Sequence, residues 1–199
     1  GWPVIAPLPF GRALNLAVNA QPTSLEDMRA LLNGQDPVDP MTSERAAEIR
    51  STEYEVSVFE LAEQDDVVEA LFATHLADTG DGAAEQAFFA LCSDRAAMAA
   101  RVMIEQSDIV IGIWDGITHG SIGGTRHTIE AALEQGVPVI WIDARNPQGW
   151  HLLQAKEQLA ALAGRASAAR DEAGISALIH VALCPSGDGW KGVSRYEKW

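Results

Sequence analysis

Residues that could bind a ligand lie between two apolar runs of the sequence, in the stretch SDIVIGIWDGITHGSIGGTRHTIEAALEQGVPVIWID at residues 107–143. A carboxylate such as that of Asp115 accepts hydrogen bonds from ribose hydroxyls, and a helix that begins after paired glycines points N–H groups at an anion. So many glycines also indicate that something approaches the backbone closely. The stretch therefore predicts a site for a phosphorylated ligand. Its predicted members are Trp114, Asp115, Gly116, Gly123, Gly124, Thr125 and Arg126, with Pro7 from an earlier strand.

Each of these residue types also has a structural interpretation. Asp115 can form an Asx turn, and Trp114 can fill the core at the end of its strand. Gly123 suits a tight turn, and Thr125 suits the N-cap of the following helix. Arg126 falls in the first helical turn, where the helix dipole disfavours a cation unless an anion lies nearby. The histidines are scattered without metal-pair spacing, so the sequence predicts neither a metal nor a cofactor.

The elements that must position these residues alternate between strands and helices. Residues 109–114 predict a central parallel strand covered on both faces, residues 125–135 a helix that ends at Gly136, and residues 137–142 the next buried strand. The remaining predicted elements are strands at 3–8, 54–61 and 176–183, helices at 65–75, 83–106, 148–163 and 167–173, and a helix between Ser24 and Gly34. The alternation predicts an α/β fold with a Rossmann-like open parallel sheet and helices on both faces. In such sheets, ligands bind at the carboxyl ends of the strands.

Length and composition predict one globular domain. The chain has 199 residues, of which 47% are apolar, and it contains no apolar run long enough for a membrane span. We expect a single domain over residues 1–199, with an acidic loop at 35–53 that includes a turn or more of helix near 43–49. The opening GWPVIAPLPF has neither an initiator Met nor a signal-peptide pattern, which indicates a truncation upstream.

Charge and cysteine content limit the partners. The formal net charge of −14 argues against a nucleic-acid partner, which needs a basic surface. The two cysteines lack metal-ligand spacing and suit buried thiols in a reducing compartment. We therefore expect a cytoplasmic protein with a small-molecule ligand and no membrane partner, acting as a homo-oligomer or within a larger protein.

The same residues resemble a known superfamily. SDIVIGIWDG, followed by GGT and then GVPVIWI, resembles the C-terminal half of the SLOG superfamily. This Rossmann-like group includes the LOG phosphoribohydrolases, the DNA-processing protein A fold and the ligand-sensing domain of melastatin-type TRP channels. The same half is similar to the nucleoside 2-deoxyribosyltransferases. The resemblance implies binding of a nucleotide or a nucleotide-derived ligand, which many members are thought to sense rather than cleave.

The chain departs from these families at the catalytic position. The LOG enzymes carry Pro-Gly-Gly-x-Gly-Thr-x-x-Glu, and the deoxyribosyltransferases carry Gly-Thr-x-x-Glu with the carboxylate as nucleophile. Here Thr128 stands where that Glu is expected, and Glu130 follows two residues later, ~200° around the helix. The first hypothesis is therefore a non-catalytic domain that senses a nucleotide. The second is a hydrolase or transferase of N-glycosidic bonds that uses Glu130 or Glu85, and the third is a fold without a working pocket.

Overall fold

The computed structural model describes residues 4–54, 56–77, 82–118, 120, 122–162 and 170–183. Over these residues the protein is a mixed α/β structure. Its elements are β1 (Ile5–Leu8), α1 (Arg12–Ala20), α2 (Leu25–Leu32), α3 (Pro40–Tyr54), β2 (Ser57–Glu60), α4 (Asp65–Ala77), α5 (Gly82–Glu105), β3 (Val110–Trp114), α6 (Thr125–Glu134), β4 (Val139–Asp143), β5 (Trp150–Leu153), α7 (Lys156–Leu162) and α8 (Glu172–Leu183).

These elements fall into two compact units. The described residues up to Asp108, together with residues 120 and 122–132, form the first unit. Residues 109–118 and the described residues from Leu133 onward form the second unit. The single domain expected from the sequence stays a prediction.

The first unit contains a parallel two-stranded sheet and a helical core. β1 pairs with β2 in parallel, from Ile5 opposite Ser57 to Leu8 opposite Glu60. Apolar side chains of α1 to α5, together with Phe10, form the core, where Phe72 stacks on Phe88 with ring centroids 4.6 Å apart. Burying apolar surface of this kind is the main stabilising contribution to such a core.

Helix starts in the first unit follow capping chemistry. Ser24 caps α2 by accepting a hydrogen bond from the Asp27 N–H at 3.1 Å, as the sequence predicted. The helix expected near residues 43–49 within the acidic segment 35–53 is present and is longer than predicted, because α3 begins at Pro40 and runs for 15 residues. Asp39 caps it by accepting the Thr42 N–H at 2.8 Å, and Pro40 suits the first helical position.

The second unit is built on a mixed three-stranded sheet in the order β3-β4-β5. β3 and β4 are parallel, with Val110 opposite Val139 and Trp114 opposite Asp143, whereas β5 runs antiparallel to β4. The prediction of a helix over residues 148–163 is therefore wrong for the first part, because the chain reverses after β4 and forms β5 before α7. Turn residues cause the reversal, and the Gly149 N–H donates to the Asn146 carbonyl at 3.1 Å.

Two further expectations in this unit are corrected. The apolar run predicted as a strand at 176–183 is the second part of α8, a helix that Asp171 caps by accepting the Gly174 N–H at 3.1 Å. A short apolar run does not distinguish a buried strand from a buried helix by its pattern alone. Ile111 and Ile113 of β3 are 63% and 61% exposed, so this strand is not covered on both faces.

The prediction for the segment after residue 122 is confirmed. α6 covers Thr125–Glu134, and Gly136 follows with φ of 73°, a left-handed conformation that glycine adopts without strain. The predicted helix at 83–106 is α5, and the predicted strand at 137–142 is β4. Of the helix predicted at 167–173, residues 167–169 lie outside the described residues, and among the described ones the helix α8 begins only at Glu172.

Candidate functional site

Two carboxylates lie at the carboxyl ends of the parallel strands β3 and β4. Asp115 follows the last residue of β3, and Asp143 is the last residue of β4, where it pairs in register with Trp114. The carboxyl ends of adjacent parallel strands meet at one edge, which is where open α/β sheets bind their ligands. The second unit thus presents two acids at the edge that the sequence singled out.

Asp115 is held by its own turn. Its Oδ1 accepts the N–H groups of Ile117 and Thr118 at 2.9 and 2.8 Å, and its Oδ2 accepts the Thr118 hydroxyl. The Thr118 hydroxyl, followed by the two N–H groups, lowers the pKa of Asp115 from 3.8 to about 2. Gly116 turns the chain with φ of 74°. The Asx turn considered from the sequence is therefore present, and the carboxylate in it is ionised at neutral pH.

The turn leaves Asp115 able to accept one more hydrogen bond. A carboxylate offers about four acceptor positions. Three of them are used by groups among the described residues. Asp115 itself is half-buried. Its geometry therefore suits a preorganised acceptor for a hydroxyl group of a ligand.

Trp114 belongs to the interior rather than to an open ligand surface. Trp114 is 8% exposed, and its indole N–H donates to the Thr118 carbonyl at 2.9 Å. Its own carbonyl accepts the indole N–H of Trp141 at 3.0 Å and the N–H of Ala144 at 3.2 Å. These contacts favour the core interpretation of Trp114 over stacking on a base, and they fix the backbone just before Asp115.

Asp143 and Arg145 were not singled out from the sequence. Asp143 is 3% exposed and accepts the Arg145 N–H and Nε–H through Oδ1 at 2.9 and 3.0 Å, and the Nη2–H through Oδ2 at 3.0 Å. The guanidinium hydrogen bonds lower the pKa of Asp143. The charge of Arg145 also lowers the pKa of Asp115, so the three ionised groups form one cluster. The sequence did contain a signal for Asp143, because this acid ends the apolar run VIWID just as Asp115 ends the run IGIWD.

The Gly-Gly-Thr segment lies in the first unit, where it packs on α5. Gly123 has φ of 83°, and a Cβ built on it would lie 2.7 Å from the Ser93 carbonyl oxygen and 3.0 Å from the Ala97 nitrogen. What comes close to this glycine is therefore the backbone of a neighbouring helix. The Gly123 N–H also donates to Nδ1 of His127 at 3.3 Å.

The start of α6 differs in detail from the prediction. Thr125 is the first residue of the helix and is exposed, so the N-cap position falls on Gly124 and not on Thr125. The Gly124 carbonyl accepts the N–H and the hydroxyl of Thr128 at 3.0 and 3.1 Å. The predicted contact of Gly123, Gly124 and Thr125 with a phosphate stays a prediction.

The charged residues that the sequence analysis considered in α6 and α5 are Arg126, Glu130 and Glu85. Arg126 forms an ion pair with Glu130 at 2.9 Å, four residues along the helix, with both side chains about one-third exposed. The ion pair with Glu130 therefore explains why a cation is tolerated in the first helical turn, and no anionic ligand is needed for this explanation. Glu85 is exposed in the first turn of α5 and lines an open groove of about 530 Å³. The other lining residues are Gly82, Gln86, Phe89, Ala90 and Ser93.

Pro7 lies in β1 opposite Phe59, and the turn after this strand binds carboxylates of the chain itself. The Gly11 N–H donates to Asp65 Oδ2 at 2.8 Å, and the Arg12 N–H donates to Glu60 Oε2 at 3.0 Å. A Cβ on Gly11 would lie 2.8 Å from Asp65 Oδ2, so a larger residue here would displace this carboxylate. Two acids thus stabilise the N-terminus of α1 from outside the helix.

Arg95 of α5 connects the ends of the same two strands. Arg95 is 6% exposed. Its Nε–H donates to the Pro9 carbonyl at 3.2 Å, and its Nη2–H donates to the Leu61 carbonyl. Its charge also favours the ionised form of Asp65, although burial raises the pKa of Asp65 overall. The carboxyl ends of β1 and β2 are therefore tied together by groups of the chain.

Over the part of the chain that the structure describes, no group of three or more His, Cys, Asp or Glu side chains could hold a metal ion. No helix there combines the length and the apolarity needed to cross a membrane.

Comparison with known families, curated proteins and solved structures gives no match for this chain.

Proposed function

We propose that the chain binds a nucleotide or a nucleotide-derived ribose phosphate at the carboxyl ends of β3 and β4, and that it does not turn this ligand over. The supporting observation is Asp115, an ionised carboxylate held by three hydrogen bonds at the edge where α/β sheets bind ligands. Its remaining acceptor position accepts a ribose hydroxyl. Because the turn fixes the carboxylate before the ligand arrives, little ordering cost accompanies binding.

The non-catalytic part of the proposal rests on the state of the acids. A general acid or base works best with a pKa near the working pH, whereas the pKa of Asp115 is about 2. Of the two alternative catalysts, Glu130 is paired with Arg126, and Glu85 is exposed on an open groove. The cleavage of N-glycosidic bonds needs a carboxylate close to the anomeric carbon and a group that donates a proton, and the ionised Asp115 cannot donate one.

We also propose that the chain is a SLOG-like, Rossmann-like protein with an open, mainly parallel sheet. The sequence motifs named above support this, and so do the two parallel strand pairs, β1 with β2 and β3 with β4. The antiparallel β5 extends the second pair, as an antiparallel edge strand does in many mixed α/β sheets.

Titration calorimetry with Asp115→Asn tests the proposed site. Asparagine keeps an oxygen for the N–H groups of Ile117 and Thr118 but removes the charge, so the turn is expected to survive. Glu157→Gln, on the exposed face of α7, is the matched control because it removes one carboxylate charge from the same unit. The ligands are nucleosides, nucleoside mono- and diphosphates, cyclic nucleotides and ADP-ribose.

We expect the wild type to bind at least one of these ligands, and Asp115→Asn to bind it at least ~10-fold more weakly, as the loss of a charge-assisted hydrogen bond predicts. Glu157→Gln should bind like the wild type. Equal affinity of wild type and Asp115→Asn, or no binding of any ligand, contradicts the proposal. Release of free base during incubation, lost in Glu130→Gln, would support the hydrolase instead.

A further inference from the structure

Arg145 presents a fixed guanidinium group at the edge where Asp115 lies. Two of its nitrogens donate to the two oxygens of Asp143, each at 3.0 Å, which is a bidentate pair. The Arg145 backbone N–H donates to the same carboxylate at 2.9 Å. Three hydrogen bonds to one buried acid therefore define the position of this side chain.

The pair has an inner and an outer member. The Asp143 side chain is 3% exposed and the Arg145 side chain is 37% exposed, so the carboxylate lies inside and the guanidinium lies toward solvent. A guanidinium carries five N–H donors, and Asp143 takes two of them. The other three are geometrically suited to oxygens of a phosphate, which arginine binds in bidentate fashion.

The surrounding charges decide which ligand this group can take. Asp115 and Asp143 are ionised next to Arg145, so the cluster has a net charge of −1 and gives no general attraction for anions. Binding by Arg145 therefore depends on directed hydrogen bonds. This favours a phosphate that is attached to a ribose and is delivered to Arg145 when Asp115 binds the hydroxyls.

We infer that Arg145 binds the phosphate group of the ligand, with Asp143 as the positioning residue that holds the guanidinium. This inference rests on the proposed function, because it assigns the phosphate half of the same ligand. It names the ligand class as a ribose that carries a phosphate, in preference to the free nucleoside. Because a hydrogen bond to a charged group is strong, we expect the phosphate to improve affinity about 10- to 100-fold.

Calorimetry on matched ligand pairs tests the assignment. Each nucleoside is compared with its 5′-monophosphate on the wild type, Arg145→Gln, Arg145→Lys and Asp143→Asn. Arg170→Gln is the control, since it removes an arginine charge from the same unit at a residue that hydrogen-bonds to Gln148. Arg145→Lys keeps a cation beside the buried Asp143, so it provides a second test of the inference if Arg145→Gln fails to fold.

We expect Arg145→Gln to remove the advantage of the monophosphate and to weaken binding of the nucleoside less than binding of the monophosphate. Arg145→Lys should keep part of the advantage because lysine donates from a single point, and Asp143→Asn should reduce it because the guanidinium is no longer held. Arg170→Gln should bind like the wild type. An equal loss for nucleoside and monophosphate in Arg145→Gln and Arg145→Lys, or no advantage of the phosphate in the wild type, overturns the inference.

The nucleoside arm separates this inference from the proposed function. If a nucleoside binds the wild type and Asp115→Asn weakens its binding, but the 5′-monophosphate binds no more tightly, the proposed site stands and the inference is overturned. If neither nucleosides nor nucleotides bind the wild type, the proposed function and the inference are both overturned.

Discussion

Gly123→Ala is expected to destabilise the protein through contact with the backbone of α5. At φ of 83° an alanine is strained, and its Cβ would lie 2.7 Å from the Ser93 carbonyl oxygen, 2.9 Å from the Ala96 Cβ and 3.0 Å from the Ala97 nitrogen. Two of these three atoms belong to the backbone of a helix. They cannot move aside as the end of a flexible side chain could, so either α5 or the loop must shift.

Gly34 provides the matched control in the same unit. It has φ of 71°, and nothing lies within 4 Å of a Cβ built there. Gly34→Ala therefore carries the cost of the left-handed conformation, about 1–2 kcal/mol. The lower entropy of the unfolded chain offsets about 0.4–1 kcal/mol of this. We expect a net loss of about 1 kcal/mol for Gly34→Ala.

The overlap with α5 adds the cost of overpacking, about 1–3 kcal/mol, so Gly123→Ala should lower the free energy of unfolding by about 2–4 kcal/mol. Urea denaturation of both variants, followed by circular dichroism, measures the difference between them. Equal losses for Gly123→Ala and Gly34→Ala would refute the contact with α5 as the reason for this glycine.

Two other predictions concern ionisation. The folded-state pKa of Asp115 is about 2, below its ordinary value of 3.8, so Asp115 contributes stability that is present above pH ~4 and is lost as the pH falls toward 2. The difference in unfolding free energy between the wild type and Asp115→Asn should therefore shrink over this range in urea titrations; a constant difference would contradict the hydrogen bonding described for the turn. Burial raises the pKa of Cys92 to about 11, so at pH 8 iodoacetamide should alkylate Cys92 at least ~10-fold more slowly in the folded protein than in urea, as peptide mass spectrometry can measure. Equal rates would contradict its burial.

The elements that the sequence predicted well carry their own local signals. Ser24 stands at an N-cap, Gly136 stands just after a helix, and the apolar runs of β3 and β4 flank α6 at the expected spacing. Each of these features depends on residues close together in the chain. A single sequence contains that information directly.

The errors arose where local signals were weak or were overlooked. Asp39 and Pro40 mark the start of α3, yet the acidic composition of the segment suggested a loop. The run in α8 is mostly apolar, and such a pattern suits a strand and a helix equally. The strand β5 has only four residues and depends on the turn that precedes it.

The candidate site was predictable in part for the same reason. Asp115 and its Asx turn are local, so the sequence could name them. The bidentate pair of Asp143 and Arg145 depends on how the chain turns after β4, and the contact of Gly123 depends on α5, about 30 residues earlier in the chain. Such contacts are tertiary and leave little trace in one sequence.

The measurement that tests the central claim most directly is calorimetric titration of the wild type, Asp115→Asn and Glu157→Gln with the nucleotide panel. The account predicts that a ribose phosphate binds the wild type and Glu157→Gln with equal affinity, and Asp115→Asn at least ~10-fold more weakly. Binding that is unchanged in Asp115→Asn, or the absence of binding across the whole panel, would contradict it.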